Sequence, residues 1–178
     1  MIAQIHKDFT FLSAVHFENK YMVNLYEMST LMIVETENPK DQNTAVDRIT
    51  YFLNNTIENC IFIHEKETKA IGKYQDAGLT ICTLPEEPYD QIVGMILLNK
   101  LNAIMENKIV IEEIIFGSKL SNLIKFNINY EVSSGEFNKN NWYNQNSLDI
   151  NVRKSKGKVV PLVRTDGWAD LNLTWQAK

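Results

Sequence analysis

Apolar, β-branched and aromatic residues run through Ile2 to Phe17 without Gly or Pro, with Ile5, Phe9, Phe11 and Val15 among them, and a second such stretch covers Tyr21 to Glu35. That content predicts two strands rather than helices. Only Glu18-Asn19-Lys20 separates them, too short for a crossover, so the strands pair antiparallel as a long hairpin. After Pro39 the period changes. Val46, Ile49, Leu53 and Ile57 recur at helical offsets, with Thr44 and Asp47 at capping-box spacing, which predicts an amphipathic helix ending near Asn59. Cys60 to Ile63 is apolar enough for either a buried extension or a short strand. Lys66 to Asp76 could be a small helix and Leu79 to Leu84 a short strand. Tyr89 to Glu106 is the clearest helix, with Val93, Leu97, Leu101 and Ile104 on one face. Pro88 suits its first position, and Glu86, Glu87 and Asp90 complement the positive end of its dipole.

Two more strands are predicted next. Ile109 to Phe116 is an apolar run interrupted by Glu112-Glu113, and a turn over Gly117 to Asn122 leads to Leu123 to Val132. From Ser133 the chain becomes rich in Asn, Ser, Gly and Lys, with Trp142, Trp168 and Trp175 spaced through it. Leu171, Leu173 and Trp175 alternate with polar residues and predict a last strand, with Val159 to Val163 as another. The expected organisation is one domain over residues 1–132, with a C-terminal β appendage, 133–178, packed on it.

Composition narrows the class. With 178 residues, 44% of them apolar and 22% charged, the chain can bury a sizeable core, and disorder is not expected. A net charge of -4 offers no general attraction to phosphate backbones or anionic lipid, so neither nucleic acid nor a membrane is an expected partner. No apolar run reaches the roughly 18 residues of a membrane span, and the start lacks the order of a signal peptide, so a cytoplasmic location is expected. Cys60 and Cys82 are the two cysteines, without a C-x-x-C, and are read as buried thiols rather than a disulfide framework or a thiolate zinc site.

Two strands, a pair of helices and two further strands form the element order of the T-fold. The stretch Lys7-Asp8-Phe9-Thr10-Phe11-Leu12-Ser13-Ala14-Val15-His16 resembles the opening strand of the 6-pyruvoyltetrahydropterin synthase and 6-carboxytetrahydropterin synthase family, an aromatic-x-aromatic run ending in Ala-Ala-His. Ile109-Val110-Ile111-Glu112-Glu113 is similar to the family's late strand, which carries a pterin-holding glutamate. The resemblance covers about three quarters of the chain. It implies an α+β fold, a T-fold-like antiparallel sheet in β-β-α-α-β-β order with helices on one face and the C-terminal β appendage added. It also implies a homo-oligomeric ring with a pocket for a pterin-like or purine-like molecule between subunits.

The family's chemistry is not implied to the same extent. Its zinc is held by three histidines, because a catalytic zinc needs about three fixed protein ligands and an open position. His16 matches the first, but Tyr26-Glu27-Met28 stands near where the family has His-x-His, and no cysteine precedes Cys60 to match its nucleophile. No metal site, cofactor or catalytic residue is therefore expected. Glu113, Glu112, Glu87 and His16 are the candidate ligand-binding residues, since a carboxylate can accept two adjacent N–H donors of a pterin or guanine edge. In regular strand geometry Glu112 and Glu113 face opposite sides, so only one of them can point into such a site. Ordinary alternatives stand beside each: solvated acids, a helix dipole partner at Glu86 and Glu87, a hydrogen-bonded histidine, and a solvated basic run at Arg153, Lys154, Lys156 and Lys158. The leading expectation is a non-catalytic binder. A structural or protein-interaction module using the Trp-bearing tail, and a divergent synthase-like enzyme, are the alternatives.

Overall fold

The computed structural model describes residues 3–122, 124–135, 137, 141–150 and 175. Strands β1 (Gln4–Phe17) and β2 (Lys20–Val34) pair antiparallel along their full length, Gln4 opposite Ile33 and Phe17 opposite Lys20. Glu18 and Asn19 between them take left-handed φ values of 49° and 61°. Two such residues in succession make the turn whose twist matches that of the strands it joins. β5 (Ile109–Ser118) pairs antiparallel with β2, and β6 (Lys125–Asn129) with β5.

On the other side of β1 the sheet continues with two short parallel strands, β3 (Ile61–His64) and β4 (Ile81–Leu84), which gives the order β4-β3-β1-β2-β5-β6. The expected β-β-α-α-β-β order is thus incomplete. The fold is a mixed α/β arrangement on a six-stranded sheet, with α1 (Pro39–Phe52), α2 (Thr68–Asp76), α3 (Asp90–Met105) and the short α4 (Tyr130–Ser133). Parallel strands need a crossover, and α2 supplies the one between β3 and β4. α1 starts at Pro39 with Asn38 as its cap, six residues before the Thr44 cap expected, and widens into a π turn over Leu53–Ile57. Asn59, with φ of 68°, ends that segment.

The main core lies between one face of the sheet and helices α1 and α3. Phe9, Phe11 and Val15 of β1, Tyr26 and Met28 of β2, Phe62 of β3 and Ile114 and Phe116 of β5 meet Ile49, Phe52, Leu97, Leu101 and Ile104 there. Helices were expected on one face alone, and they cover both. α2 lies on the opposite face, where Ala70, Ile71 and Tyr74 cover Ala14, Ile61, Ile63 and Ile81. The physical reason is visible in Ile61-Phe62-Ile63, apolar at three successive positions: such a strand is buried on both sides and needs a cover on each.

Where an acid pair interrupts β5 the register shifts. Ile111 pairs with Met32 and Glu113 with Leu31, so Glu112 is the extra residue of a β-bulge. The bulge turns both Ile111 and Ile114 into the core and leaves exposed Glu112 and half-buried Glu113 outside it. The opposite facing expected of Glu112 and Glu113 assumed an unbroken strand, and the bulge removes that regular alternation. Asn102 of α3 fastens the bulge, donating to the Ile111 carbonyl at 2.9 Å and accepting its N–H at 2.8 Å.

The described part of the C-terminal region packs on the same core through Tyr143 and Leu148. Between 133 and 150 the described residues contain the end of α4 and a 3-10 turn at Trp142–Asn144, but no strand. Asn, Ser and Gly disfavour extended pairing there. The predicted strand at Val159 to Val163, the basic run at Arg153 to Lys158, and Leu171 to Thr174 lie outside the described residues. Among the described residues no helix is long and apolar enough to cross a membrane.

Candidate ligand cleft at the hairpin end of the sheet

Strand alternation places Met22, Asn24, Tyr26 and Met28 of β2 on the helix-facing side. Asn24 is therefore a polar residue at a core position, 3% exposed. Here the N-terminus of α3 stops short of the sheet, and a cavity of about 410 Å³ opens between them. Its walls are Val15, Phe17, Met22, Tyr89, Leu120 and Phe126, and its polar groups are Asn24, Asp90, Gln91 and Ser121. That size and mixture, apolar walls with a few convergent polar groups, characterise small-molecule pockets.

Asp90 opens α3, where the positive end of the helix dipole favours a carboxylate. Pro88 comes two residues earlier and not at the first helical position, and Tyr89 caps the helix without a side-chain bond. Ser118 Oγ donates to Asp90 Oδ1 at 2.9 Å and Ser121 Oγ to Oδ2 at 2.6 Å. An ionised carboxylate offers about four acceptor sites, so these hydroxyls fix its plane and leave about two free. The Asn24 side-chain oxygen accepts the Leu120 N–H at 3.2 Å, which holds the β5–β6 turn over the cavity. Below lies Tyr26, fully buried and stacked on Phe11 and Phe116 at 5.3 and 5.4 Å between centroids. Its hydroxyl lies beside the Asn24 amide without reaching hydrogen-bonding geometry, and burial pushes the phenol far above its ordinary pKa.

Phe17 and Tyr89, packed edge to face at 5.3 Å, divide this cavity from a second of about 280 Å³. Two expected site residues, His16 and Glu87, line the smaller compartment together with Glu18 and Glu67. His16 is 6% exposed, its Nδ1 within 2.9 Å of the Tyr74 hydroxyl on α2, and its Nε2 has no hydrogen-bond partner. Glu87 sits 3.2 Å from His64 Nδ1. It therefore has a histidine partner besides any helix dipole.

Glu112 and Glu113 are elsewhere. Glu113 pairs through Leu31 with His6, ten residues along β1 from His16, or roughly 33 Å at strand spacing. One chain thus brings His16 and Glu87 together and keeps the acid pair apart from both. Among the described residues no three His, Cys, Asp or Glu side chains group so that they could hold one metal ion.

Asp90, Asn24, Ser118 and Ser121 were not singled out from the sequence. Asp90 read only as a dipole partner, and the serines as turn residues. The available signal was Asn24, whose amide interrupts the apolar set Met22, Tyr26, Met28 on one strand face. No protein-family model matches the chain, and no curated protein matches it either.

Proposed function

We propose that the chain is a non-catalytic binder of a small planar heterocycle with adjacent N–H donors, pterin-like or purine-like, held in the larger cavity at the start of α3. The observation that carries this reading is the Asp90 carboxylate, oriented by two serine hydroxyls at the edge of an apolar-walled space of about 410 Å³. Its remaining acceptor sites suit the amino-imine edge of such a ring. Phe17, Tyr89 and Phe126 supply aromatic surface against which the ring would pack. Asp90 takes the anchoring role that the family resemblance would assign to Glu113. The T-fold part of the proposal is supported by β1, β2, β5 and β6, antiparallel neighbours with α1 and α3 across one face, to which β3, α2 and β4 are added.

Titration calorimetry and thermal shift with pterin and guanine, against their N-methylated analogues lacking the donor pair, test the reading. At a hundredfold excess over Kd a ligand stabilises by about 2.7 kcal/mol, or roughly 5–10 °C for a chain of this size. Asp90→Asn, which turns an acceptor into a donor, should abolish the shift. Equal shifts for the methylated analogues would overturn the donor-pair recognition.

A second reading, a protein-interaction module, rests on β1. Among the described residues no strand pairs with Gln4 to Phe11 on the side away from β2, and Leu12, Val23 and Ile115 are exposed on the adjoining face. An unpaired edge beside apolar surface is a template for another strand, including that of a second copy. Light scattering that reports a monomer at micromolar concentration would count against it.

A further inference from the structure

The cavity at the start of α3 does not end at its far wall. Gln91 and Phe126 line it and also line a groove of about 410 Å³ that continues along α3 toward α4, so the two spaces meet at these two side chains. Ile92 and Met95 of α3, Phe126 and Ile128 of β6 and Val132 of α4 give the groove its apolar surface. Its floor is fixed by close packing. A Cβ on Gly94 would lie 2.5 Å from Ile128 Cδ1 and 3.0 Å from Phe116 Cδ1, so glycine is what lets α3 come this near to β5 and β6. Above that floor Val132 is 66% exposed and Ile92, Met95 and Phe126 are half-buried, apolar surface that gains by being covered.

The polar groups of the groove are largely spent on the fold. Asn129 Oδ1 accepts the Glu131 N–H at 2.9 Å, Ser133 Oγ donates to the Tyr130 carbonyl at 3.3 Å, and the Ser133 carbonyl accepts from Asn99 Nδ2 at 3.2 Å. Among the described lining residues of the groove none is charged, and in the adjoining cavity only Asp90 is. Strand alternation turns Lys125 to the face of β6 opposite Phe126, where it pairs with Glu27 at 3.0 Å. A phosphate or carboxylate on a ligand would therefore meet the charge of Asp90 with no cation in the lining to offset it, and Glu18 and Glu67 lie just beyond the Phe17–Tyr89 pair.

We infer that the ligand carries an uncharged, largely apolar chain that passes between Gln91 and Phe126 and lies in this groove. Its ring is the heterocycle proposed for Asp90, so the chain depends on that reading and narrows it: the donor edge faces Asp90, the opposite edge bears the chain, and phosphorylated nucleotides are excluded. Gln91 to Met95 is about one helical turn, roughly 6 Å, a length that a hexyl chain covers.

The test uses the full chain with 9-methylguanine, 9-hexylguanine and 9-(5-carboxypentyl)guanine, followed by calorimetry and by the methyl resonances of two methionines, Met22 in the cavity and Met95 in the groove. 9-Methylguanine should shift Met22 and leave Met95 in place. 9-Hexylguanine should shift both and bind at least about tenfold tighter, because its added methylenes cover apolar surface. The carboxypentyl probe, of the same length with a charged end, should bind no tighter than 9-methylguanine. Val132→Asp, at an exposed position, should cut the hexyl advantage to about threefold or less, keep 9-methylguanine affinity within about twofold and keep a cooperative thermal transition, and Ile92→Asn should do the same from α3. Absence of both binding and a Met22 shift with 9-methylguanine would overturn the heterocycle reading and the chain with it. If 9-methylguanine binds and shifts Met22, the chain alone is overturned by a hexyl advantage below about threefold, by a Met95 resonance that 9-hexylguanine leaves unmoved, or by a carboxypentyl probe that binds as tightly as the hexyl one.

Discussion

Two buried polar centres sit on the same helix, and they differ in how completely their hydrogen-bonding capacity is used. Lys100, near the middle of α3 and 1% exposed, directs its three N–H donors at the carbonyls of Trp142, at 3.0 Å, Gln145, at 2.7 Å, and Ser147. Every donor has an acceptor, and the rings of Phe52 and Trp142 lie 5.5 and 5.9 Å from the ammonium. At the N-terminus of the same helix Asp90 accepts from two hydroxyls and keeps capacity to spare. A saturated centre can only hold the chain together. An unsaturated one beside a cavity has something left to offer a ligand.

Lys100→Met should produce the largest effect if that distinction is right. Methionine fills similar space but leaves three part-buried carbonyls without their donor, and at about 1–1.5 kcal/mol for each unpaired acceptor the change costs about 3–5 kcal/mol. Urea unfolding would report it. Trp142 fluorescence should also change, because the segment 142–147 loses the group that fastens it to the middle of α3, a role that the Trp142 Nε1 bond to the Thr83 carbonyl at 2.9 Å and the Asn146 bond to Glu106 at 3.2 Å do not fill. A loss below about 1 kcal/mol would mean that the apolar contacts of Tyr143 and Leu148 hold the segment unaided.

Asp90→Ala should cost less, about 2 kcal/mol, since the two orphaned hydroxyls lie near a cavity that water can enter. Asp90→Asn should cost under about 1 kcal/mol while still eliminating heterocycle binding. A binding site and a structural lock separate here, because only at a binding site does the conservative change remove the ligand and spare the fold.

The hairpin, the first amphipathic helix and α3 were legible in the sequence, because each carries a long, uninterrupted hydrophobic period. β3, α2 and β4 were legible only as alternatives. Each strand has four residues, too few to show whether its period is that of a strand or of a buried helix turn. The bulge at Glu112 was hidden for another reason: a pair of acids in an apolar strand looks the same in a regular ladder and in a bulged one. Of the site, His16 and Glu87 were found through the family resemblance and lie together. Asp90 and Asn24 were missed because their roles depend on Ser118, Ser121 and Leu120, which come from about thirty to a hundred residues away in the chain.

A pH series sharpens the Lys100 side of the comparison. Burial lowers its pKa to about 8 from an ordinary 10.5, the thiol of Cys82 acting in the opposite direction. Below pH 8 the amine is protonated both folded and unfolded. Between 8 and 10.5 the unfolded chain holds more protons at this group, so this group alone makes stability rise with pH, by at most about 1.4 kcal/mol per unit. Cys82, which burial pushes well above its ordinary 9.0, opposes this from about pH 9 upward, as its unfolded thiol ionises first. The clean window is pH 8 to 9. There the parent's urea midpoint should rise relative to that of Lys100→Met, and parallel profiles would mean that the three carbonyls keep the ammonium charged throughout.

The smallest effect belongs to Ser121→Ala, and it probes the comparison most directly. Ser121 is half-buried at the cavity rim, and its hydroxyl lies between Asp90 Oδ2, at 2.6 Å, and the Ser118 carbonyl, at 3.0 Å. Removing it takes one donor from a carboxylate that still has Ser118, so stability should fall by only about 0.5–1 kcal/mol. Ligand affinity should stay within about threefold of the parent, because an acceptor site is freed even as one constraint on the carboxylate's plane is lost. A loss of 3 kcal/mol or more in urea unfolding would place Asp90 beside Lys100, as a lock whose capacity is spent on the fold. The reason for assigning a ligand to that end of α3 would then disappear.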